Sequence, residues 1–298
     1  EVQEVVSGSA QISQPNSTTL QITADNNAII NYSSFNISEN ESVVINLPSA
    51  DGQLLNRVLG NSASQLLGNL NSNGLFVLVN PSGIYIGPKA TIDAASVIMS
   101  TRDINNADFL NGNYLFQKLT QEQLDKLLLN QGTITIQKGG FGVLIAGGIE
   151  NKGKIIAPTG TVALAAGDAV RIDIAKKGFI SVAVEKETSS NVLDAQGNPI
   201  TDQIKNTGTI ESNGGSIILD ADSASGIFKQ GVNLQGYVTA NKLESKDGVL
   251  RIVADQNVNI NAVVKASTVK IGDEAGKVPE TVEVSGGSME AEKEITIL

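Results

Sequence analysis

The chain contains neither cysteine nor histidine, and these two absences remove most of the side chains on which catalysis and metal binding commonly depend. Without cysteine there is no disulfide, no thiol nucleophile and no thiolate metal ligand. Without histidine the commonest general base and the usual zinc ligand are missing, and a Ser-His-Asp arrangement cannot be built. We therefore expect no catalytic residues, no metal site and no cofactor.

Bulky and basic side chains are also scarce. There is no tryptophan, and aromatic residues make up 4% of the 298 residues, although 41% of them are hydrophobic. A core must then be built from Val, Ile, Leu and Ala, which suits flat, stacked β-strands. The net charge of −10 argues against nucleic acid as a partner. No stretch reaches the ~18 consecutive apolar residues of a membrane span.

The second half of the chain is periodic, and the period indicates its architecture. The pattern Asn-x-Gly-x-Ile begins at Asn130, Asn151 and Asn206. Each copy is followed, about one short strand later, by a glycine and an apolar run, as in 140–146 and 160–166. A repeat of roughly 20 residues made of short strands and turns is typical of a solenoid.

Stacking explains why these features occur together. One coil of short strands cannot bury its own inner face, but coils stacked about 4.8 Å apart complete each other's backbone hydrogen bonds. The stacked Asn residues are expected to form side-chain amide ladders along the axis. We therefore predict an all-β fold, a right-handed parallel β-helix (β-solenoid) with an N-terminal β cap and an extra-helical hairpin.

The predicted organisation is a single domain over residues 1–298. Residues 1–50 form the cap, which covers an otherwise open strand edge. Residues 51–167 form the first coils, 168–205 an excursion outside the helix, and 206–298 further coils. The last strand carries no cap of its own, as expected of a fragment of a longer protein.

A short helix is predicted near residues 120–130. Thr120 and Gln123 have the spacing of a capping box. Leu124, Leu127 and Leu128 share one face at helical spacing. The helix would lie against the β-helix.

The most informative local motif is a turn between two apolar strands. The run 75–79 is followed by Asn80, Pro81, Ser82 and Gly83, after which an apolar stretch resumes. Pro presets its φ at the second position of a type I turn, the Asn side chain caps backbone donors, and Gly tolerates the exit geometry. The sequence therefore predicts strand, tight turn, strand.

The Asn-Pro-x-Gly-Ile core and its surroundings resemble the N-terminal secretion (haemagglutination activity) domain of filamentous-haemagglutinin-like two-partner secretion exoproteins. The resemblance covers about residues 5–120, and Ser82 stands where the family usually has Asn. It is carried, besides the turn, by the segments 28–37, 54–60, 90–93, 99–104 and 109–116.

This resemblance implies a function in secretion and folding instead of catalysis. The domain would be recognised by a cognate outer-membrane β-barrel transporter with periplasmic domains and would nucleate folding at the cell surface. It implies export through the periplasm of a Gram-negative-type bacterium, to the cell surface or the medium. A host receptor or a glycan bound by downstream regions stays open as a further partner. The residues predicted for recognition or for the fold-critical turn are Asn80, Pro81, Ser82, Gly83, Ile84, Asn56 and Gly60.

Two alternatives belong to other classes. A lyase-like, polysaccharide-active β-helix enzyme would use clustered carboxylates, and Asp220 and Asp222 are candidates that we interpret as turn residues. Arg102 and Asp103 are interpreted as a surface ion pair of little energetic value. An adhesin surface that binds a carbohydrate or receptor would need exposed aromatic residues in a groove, for which the candidates are Tyr32, Tyr85 and Tyr114.

Overall fold

The structure is a computed structural model that describes residues 1–120, 125–175, 180–273 and 276–298. Among these residues, no helix is long and apolar enough to cross a membrane.

The described elements are almost all short strands, as follows. The first part of the chain forms β1 (Val2–Ser7), β2 (Ala10–Asn16), β3 (Thr19–Ala24), β4 (Ala28–Tyr32), β5 (Ser42–Asn46), β6 (Gln53–Val58), β7 (Ser64–Leu66), β8 (Asn69–Val79), β9 (Ile84–Ile86) and β10 (Thr91–Ser100). The middle part forms β11 (Asp103–Ile104), α1 (Asn106–Leu110), β12 (Tyr114–Gln117), β13 (Asp125–Lys126), β14 (Leu128–Asn130), β15 (Thr133–Ile136), β16 (Phe141–Ala146), β17 (Ile149–Asn151), β18 (Lys154–Ile156), β19 (Thr161–Ala166), β20 (Ala169–Ile174), β21 (Ile180–Lys186) and β22 (Val192–Leu193). The last part forms β23 (Asp202–Asn206), β24 (Thr209–Glu211), β25 (Ser216–Ala221), β26 (Gln230–Leu234), β27 (Tyr237–Ala240), β28 (Val249–Ala254), β29 (Val258–Ile260), β30 (Val263–Ile271), β31 (Val282–Val284) and β32 (Ser288–Ile297).

These strands wind into a parallel β-helix with three faces, which confirms the predicted fold class. The first face is an eight-stranded sheet in the order β31-β29-β26-β23-β17-β14-β9-β7. The second and third faces belong to one 18-stranded sheet. They are continuous because long strands such as β8 and β10 pass from one face to the next, with a register shift between Ala94 and Ser96.

The burial of each strand depends on whether its outer side is covered. On the second face, the first half of β8 alternates exposed and buried residues, as a half-buried strand should. On the third face, β16 and β19 are buried at all six positions. Their inward side chains join the aliphatic column inside the helix, and their outward side chains join a second apolar cluster. Burial on both sides explains the uninterrupted apolar runs in the sequence.

The N-terminal cap consists of two antiparallel strands. β1 pairs antiparallel with β4, and β2 pairs antiparallel with β3, at the start of the third and second faces. Parallel stacking begins immediately afterwards, because β3 pairs with β5 and β4 pairs with β6. The coils therefore start well before residue 51, where the sequence placed them.

A four-stranded antiparallel sheet, the extra-helical sheet, covers the third face. Its order is β11-β12-β20-β21. The predicted extra-helical hairpin is confirmed as β20 and β21. The other half comes from residues 101–127, the first insertion, which the sequence had assigned to coils. The second insertion, residues 167–201, is shorter than the predicted excursion because β23 already belongs to the first face.

Side-chain ladders at the corners follow the sequence repeat. The Nδ2 atom of Asn130 donates to Oδ1 of Asn151, and Nδ2 of Asn151 donates to Oδ1 of Asn206, both at 2.7 Å. These bonds confirm the predicted amide ladder. A Cβ atom on Gly153 would lie 2.0 Å from the carbonyl oxygen of Gly132 in the coil below, so this position accepts only glycine.

The predicted helix near 120–130 is wrong for residues 125–130, and residues 121–124 lie outside the described part of the chain. Residues 125–130 form β13 and β14. Leu128 is buried inside the β-helix, where it pairs with Ile84 in the coil below and Ile149 in the coil above. The leucines are spaced for a strand register that stacking imposes, and tertiary pairing overrides local helix propensity here.

One strained corner residue, Thr159, is a position where a substitution is expected to raise stability. Thr159 has a φ of 53°, and the stacked corners above and below it carry Gly139 and Gly214 with φ of 81° and 71°. A β-branched residue is strained in this region. We expect Thr159→Gly to stabilise the domain by about 0.5–1 kcal/mol, measured as a higher urea midpoint. Thr161→Gly, in the adjoining strand, is the control and should lower the midpoint; a loss of stability in both variants would contradict the account.

Candidate functional site: the Asn80 turn and the first coils

The predicted turn is present between β8 and β9. The Gly83 amide donates to the carbonyl oxygen of Asn80 at 3.1 Å, which closes a four-residue turn. The Asn80 side chain supports it, because Oδ1 accepts the amide of Ser82 at 2.9 Å. Gly83 has a φ of 113°, a conformation that other residues rarely adopt.

The turn is bonded to the preceding coil, which makes Asn80 an inter-coil residue. Its Nδ2 atom donates to the Ser62 carbonyl oxygen and to Ser64 Oγ, both at 3.0 Å. The Ser82 hydroxyl donates to the carbonyl oxygen of Gly60 at 3.2 Å. The Ser82 that replaces the family's usual Asn thus keeps a hydrogen bond across the coils. Asn80 itself is fully buried.

Gly60 is required by the packing of the chain. A Cβ atom at this position would lie 2.1 Å from the Ser33 carbonyl oxygen in the coil below. The structure therefore brings Gly60 together with Asn80, Pro81, Ser82, Gly83 and Ile84 at one corner of the helix.

Asn56 does not belong to this corner. It points into the aliphatic column from β6 and is fully buried. The Tyr32 hydroxyl donates to Asn56 Oδ1 at 2.9 Å, and Asn56 Nδ2 donates to the Val77 carbonyl oxygen at 3.2 Å. Burial raises the pKa of Tyr32, so this tyrosine stays neutral. A polar pair in an apolar column fixes the register of the first coils.

The aromatic candidates for an adhesin surface are mostly inaccessible. Tyr32 and Tyr114 are buried. Tyr85 is half-buried beside the turn, in a groove of about 450 Å³, and its hydroxyl donates to Gln131 Oε1 at 2.8 Å. The set of three tyrosines therefore does not form one binding surface.

The carboxylates considered for a polysaccharide enzyme, Asp220 and Asp222, are held in ion pairs with Lys277. Asp220 lies within β25 and is 5% exposed, so its assignment to a turn was wrong. Lys277 Nζ lies 2.8 Å from Asp222 Oδ2 and 3.5 Å from Asp220 Oδ1. The amide of Val184 in the extra-helical sheet donates to Asp220 at 3.0 Å. Burial raises the pKa of Asp220, but the residue has no open groove in which to meet a polysaccharide.

Sequence reasoning missed the largest buried charge cluster. Arg102 and Asp103 were interpreted as a surface pair, which is wrong. Arg102 is 2% exposed and its guanidinium binds Asp125, whereas Asp103 accepts from Arg57 at 2.8 Å. The partners lie 23 and 46 residues away in the chain, so no local pattern could have revealed them. Within the described ranges, no group of three or more acidic side chains is placed to hold a metal ion.

The fold and the site define a β-helical domain in which the residues of the Asn80 turn form hydrogen bonds between successive coils. The family model of the TPS secretion domain matches residues 3–278, and the chain belongs to this family. The resemblance inferred from the Asn80 turn is thereby confirmed.

Two solved structures are similar. The HMW1 secretion domain from Haemophilus influenzae superposes with a TM-score of 0.75 at 27% identity, covering 97% of this chain and 84% of that one. A filamentous hemagglutinin secretion domain superposes with a TM-score of 0.50 at 15% identity, covering 99% and 97%, and shows the fold alone.

Curated relatives are much longer proteins. A heme/hemopexin-binding protein of Haemophilus influenzae is 30% identical over 237 residues, which is 78% of this chain and 24% of that protein. A second protein of the same name is 32% identical over 105 residues, or 35% of this chain and 11% of that protein. The chain thus spans about a quarter of the length of the first relative.

Family membership has direct consequences. The chain is a secretion domain of an exported protein, at the surface of or secreted by a Gram-negative bacterium, and the family works with an outer-membrane transporter. The relatives are secretion domains and exoproteins, not enzymes.

The turn contacts predict a stability effect. We expect Asn80→Ala to lower the free energy of unfolding by roughly 2–3 kcal/mol, because it leaves the buried Ser64 hydroxyl and the half-buried Ser82 amide without their partner. Urea unfolding followed by circular dichroism measures the loss. The exposed Asn111 provides the control, since Asn111→Ala should change stability by less than about 0.5 kcal/mol. Equal stability of Asn80→Ala and the wild type would refute the inter-coil role.

A half-buried acid on the later coils, Asp255, predicts a pH effect. Burial raises the pKa of Asp255, and the charge of Asp222 adds to the rise. The folded state therefore holds this proton more tightly than the unfolded state does, and stability falls as pH rises through the folded pKa. We expect Asp255→Asn to raise the urea midpoint at pH 7 and to flatten its decline above pH 4. Asp93→Asn, at an exposed position, serves as the control; a lower midpoint for Asp255→Asn would show the assignment to be wrong.

Proposed function

We propose that residues 1–85 carry the signal that the cognate outer-membrane transporter recognises, and that the same coils nucleate folding after export. The observation that supports this most directly is the burial of the family motif. Asn80, Gly83 and Ile84 are buried, and the Asn80 side chain is saturated by contacts within the domain.

Burial of the motif favours recognition of the unfolded or partly folded chain. Of the motif residues, a partner that meets the folded domain can reach only the half-buried Pro81 and Ser82, which lie beside a groove. Before folding, the apolar strand β8 and the turn are open. A periplasmic domain of the transporter can then bind the segment as an added strand, with backbone hydrogen bonds supplying affinity. Folding afterwards withdraws the motif, which favours release of the transporter.

The same contacts suit a folding nucleus. The hydrogen bonds from the turn to Gly60, Ser62 and Ser64 span 16 to 22 residues, one coil of chain. Such short loops close at a small entropic cost. Once the cap and this corner have formed, each new strand finds a parallel edge on which to pair.

The competing functions have no comparable support. The carboxylates considered for a polysaccharide enzyme are paired with Lys277, and Asp220 is buried. Heme and hemopexin binding is named for a relative of which this chain covers a quarter. His and Cys, two of the commonest protein ligands of heme iron, do not occur in the 298 residues, so we do not propose heme binding for this domain.

An export assay tests the proposal. The chain is produced together with its cognate transporter, and the amount in the medium and on the cell surface is compared with the amount in the periplasm. We expect Asn80→Ala and Gly83→Ala to reduce export several-fold, because the transporter reads this segment.

The matched control separates recognition from stability. Ile217 is fully buried in β25, far along the chain from the proposed signal, and Ile217→Ala destabilises the coils by a similar amount. Its export should stay close to that of the wild type. Equal losses for Ile217→Ala and Asn80→Ala, or normal export of Asn80→Ala, would overturn the recognition proposal.

A further inference from the structure

A buried cluster of four charged residues joins the two insertions to the β-helix. We call Arg102, Lys118, Asp125 and Asp168 the charge cluster. The guanidinium of Arg102 binds Asp125 with both terminal nitrogens, each at 2.7 Å, and Nη2 also lies 3.1 Å from Asp168 Oδ1. Nε donates to the Gly167 carbonyl oxygen at 2.8 Å. Every nitrogen of this arginine is therefore bonded.

The second insertion completes the cluster. Ser189 donates to Asp168 Oδ2 through its amide at 3.2 Å and through its hydroxyl at 2.5 Å. Lys118, from the first insertion, donates to Ser190 Oγ at 2.7 Å and lies 3.5 Å from Asp125. The side chains of Arg102, Asp125 and Asp168 are at most 2% exposed, and that of Lys118 is 6% exposed.

The order in which these residues leave the transporter matters. With export from the N-terminus onward, which is the setting of the proposed function, Arg102 and Asp125 leave before residues 167–190, which supply the second carboxylate, one carbonyl and both serines. A buried ion pair with unfilled hydrogen-bonding positions is costly, so the buried arrangement is stable only when all the partners are present. Arg102 and Lys118 then balance Asp125 and Asp168 in charge.

Arg57 provides an internal contrast. It is 7% exposed and binds Asp103, Asn106 and the carbonyl oxygen of Ile104, all in the first insertion. These partners lie no more than 49 residues away. The first insertion can therefore attach to the coils through Arg57 before the second insertion arrives, whereas the charge cluster cannot be completed.

Apolar surface stays uncovered in the interval. Phe109, Tyr114 and Phe116 of the first insertion pack in the outer apolar cluster with Val170 and Val184 of the second. β12 also presents an edge that only β20 pairs in the finished sheet. The extra-helical sheet thus covers the third face only when strands from both insertions are present.

We propose that the charge cluster is an assembly checkpoint: the extra-helical sheet closes over the third face only after residues 167–190 have been exported, and this closure completes the folded domain. The inference rests on the proposed function for its setting, export from the N-terminus onward. It adds a second folding stage with its own residues.

The test uses the full chain, secreted with its transporter and purified. Asp168→Asn removes one negative charge of the cluster and keeps the side-chain shape. We expect secretion and the far-ultraviolet β-sheet signal to stay near the wild-type level, while limited proteolysis within residues 101–120 and 180–201 becomes at least about ten-fold faster. Arg102→Gln should give the same cleavage sites. Because closure is all-or-none, the double variant should be no more sensitive than either single variant.

Glu185→Gln is the matched control, since it removes an ion pair with Arg171 on the solvent side of the same sheet and keeps the Arg171 side chain, which donates to Asn113 Oδ1 of the first insertion. It should leave proteolysis unchanged. Wild-type resistance of Asp168→Asn, additive effects in the double variant, or unfolding of the coils together with the insertions would overturn the checkpoint. Normal export of Asn80→Ala would count against the proposed recognition signal and would leave this result untouched.

Discussion

Hydrogen bonding between successive coils is the constraint on which the rest of the structure depends. A strand of three to six residues cannot satisfy its backbone or bury its inner face alone, so each coil is stable only on its neighbour. Close stacking leaves no space for a side chain at corners such as Gly153, where an added Cβ atom would lie 2.0 Å from the carbonyl oxygen of Gly132 in the coil below. It also brings Asn130, Asn151 and Asn206 within hydrogen-bonding distance of one another. The sequence repeat is a direct result of this geometry.

The Asn80 turn follows the same rule at the start of the helix. Its buried amide joins the coil that ends at Val79 to the loop of the coil before it. A motif with these bonds holds two coils together whether or not a partner recognises it. In the proposed function the motif serves recognition first and folding afterwards, because its residues are accessible only before the bonds that bury them have formed.

Features set by neighbouring coils could be predicted from the sequence, whereas features set by distant segments could not. The repeat and the Asn80 turn were visible because their partners lie one coil away. The first insertion was taken for coils, since β12 pairs not only with its neighbour β11 but also with β20, which lies in a distant part of the chain. The partners of Arg102 lie up to 66 residues away, so no local sequence pattern indicates that this arginine is buried. The predicted helix is wrong over residues 125–130 because Leu128 satisfies a strand register that only stacking reveals.

Two kinds of burial divide the molecule. The aliphatic column inside the coils extends by one step with each turn of the chain, while the outer cluster forms between the third face and two insertions that are far apart in the chain. Buried charge appears mainly in the second kind, at Arg57, Arg102 and Asp220. An apolar column needs no partner of opposite charge, but a sheet built from two insertions gains a unique position from one.

Pulse-labelling hydrogen exchange during refolding of the purified domain tests the central claim most directly. The account predicts that amides of β6, β8 and β10, around the Asn80 turn, gain protection first. Amides of β20 and β21 should gain it last, together with those of β12. Simultaneous protection of all coils, or earlier protection of the coils after Asn206, would contradict a fold that starts at the N-terminal corner and closes with the extra-helical sheet.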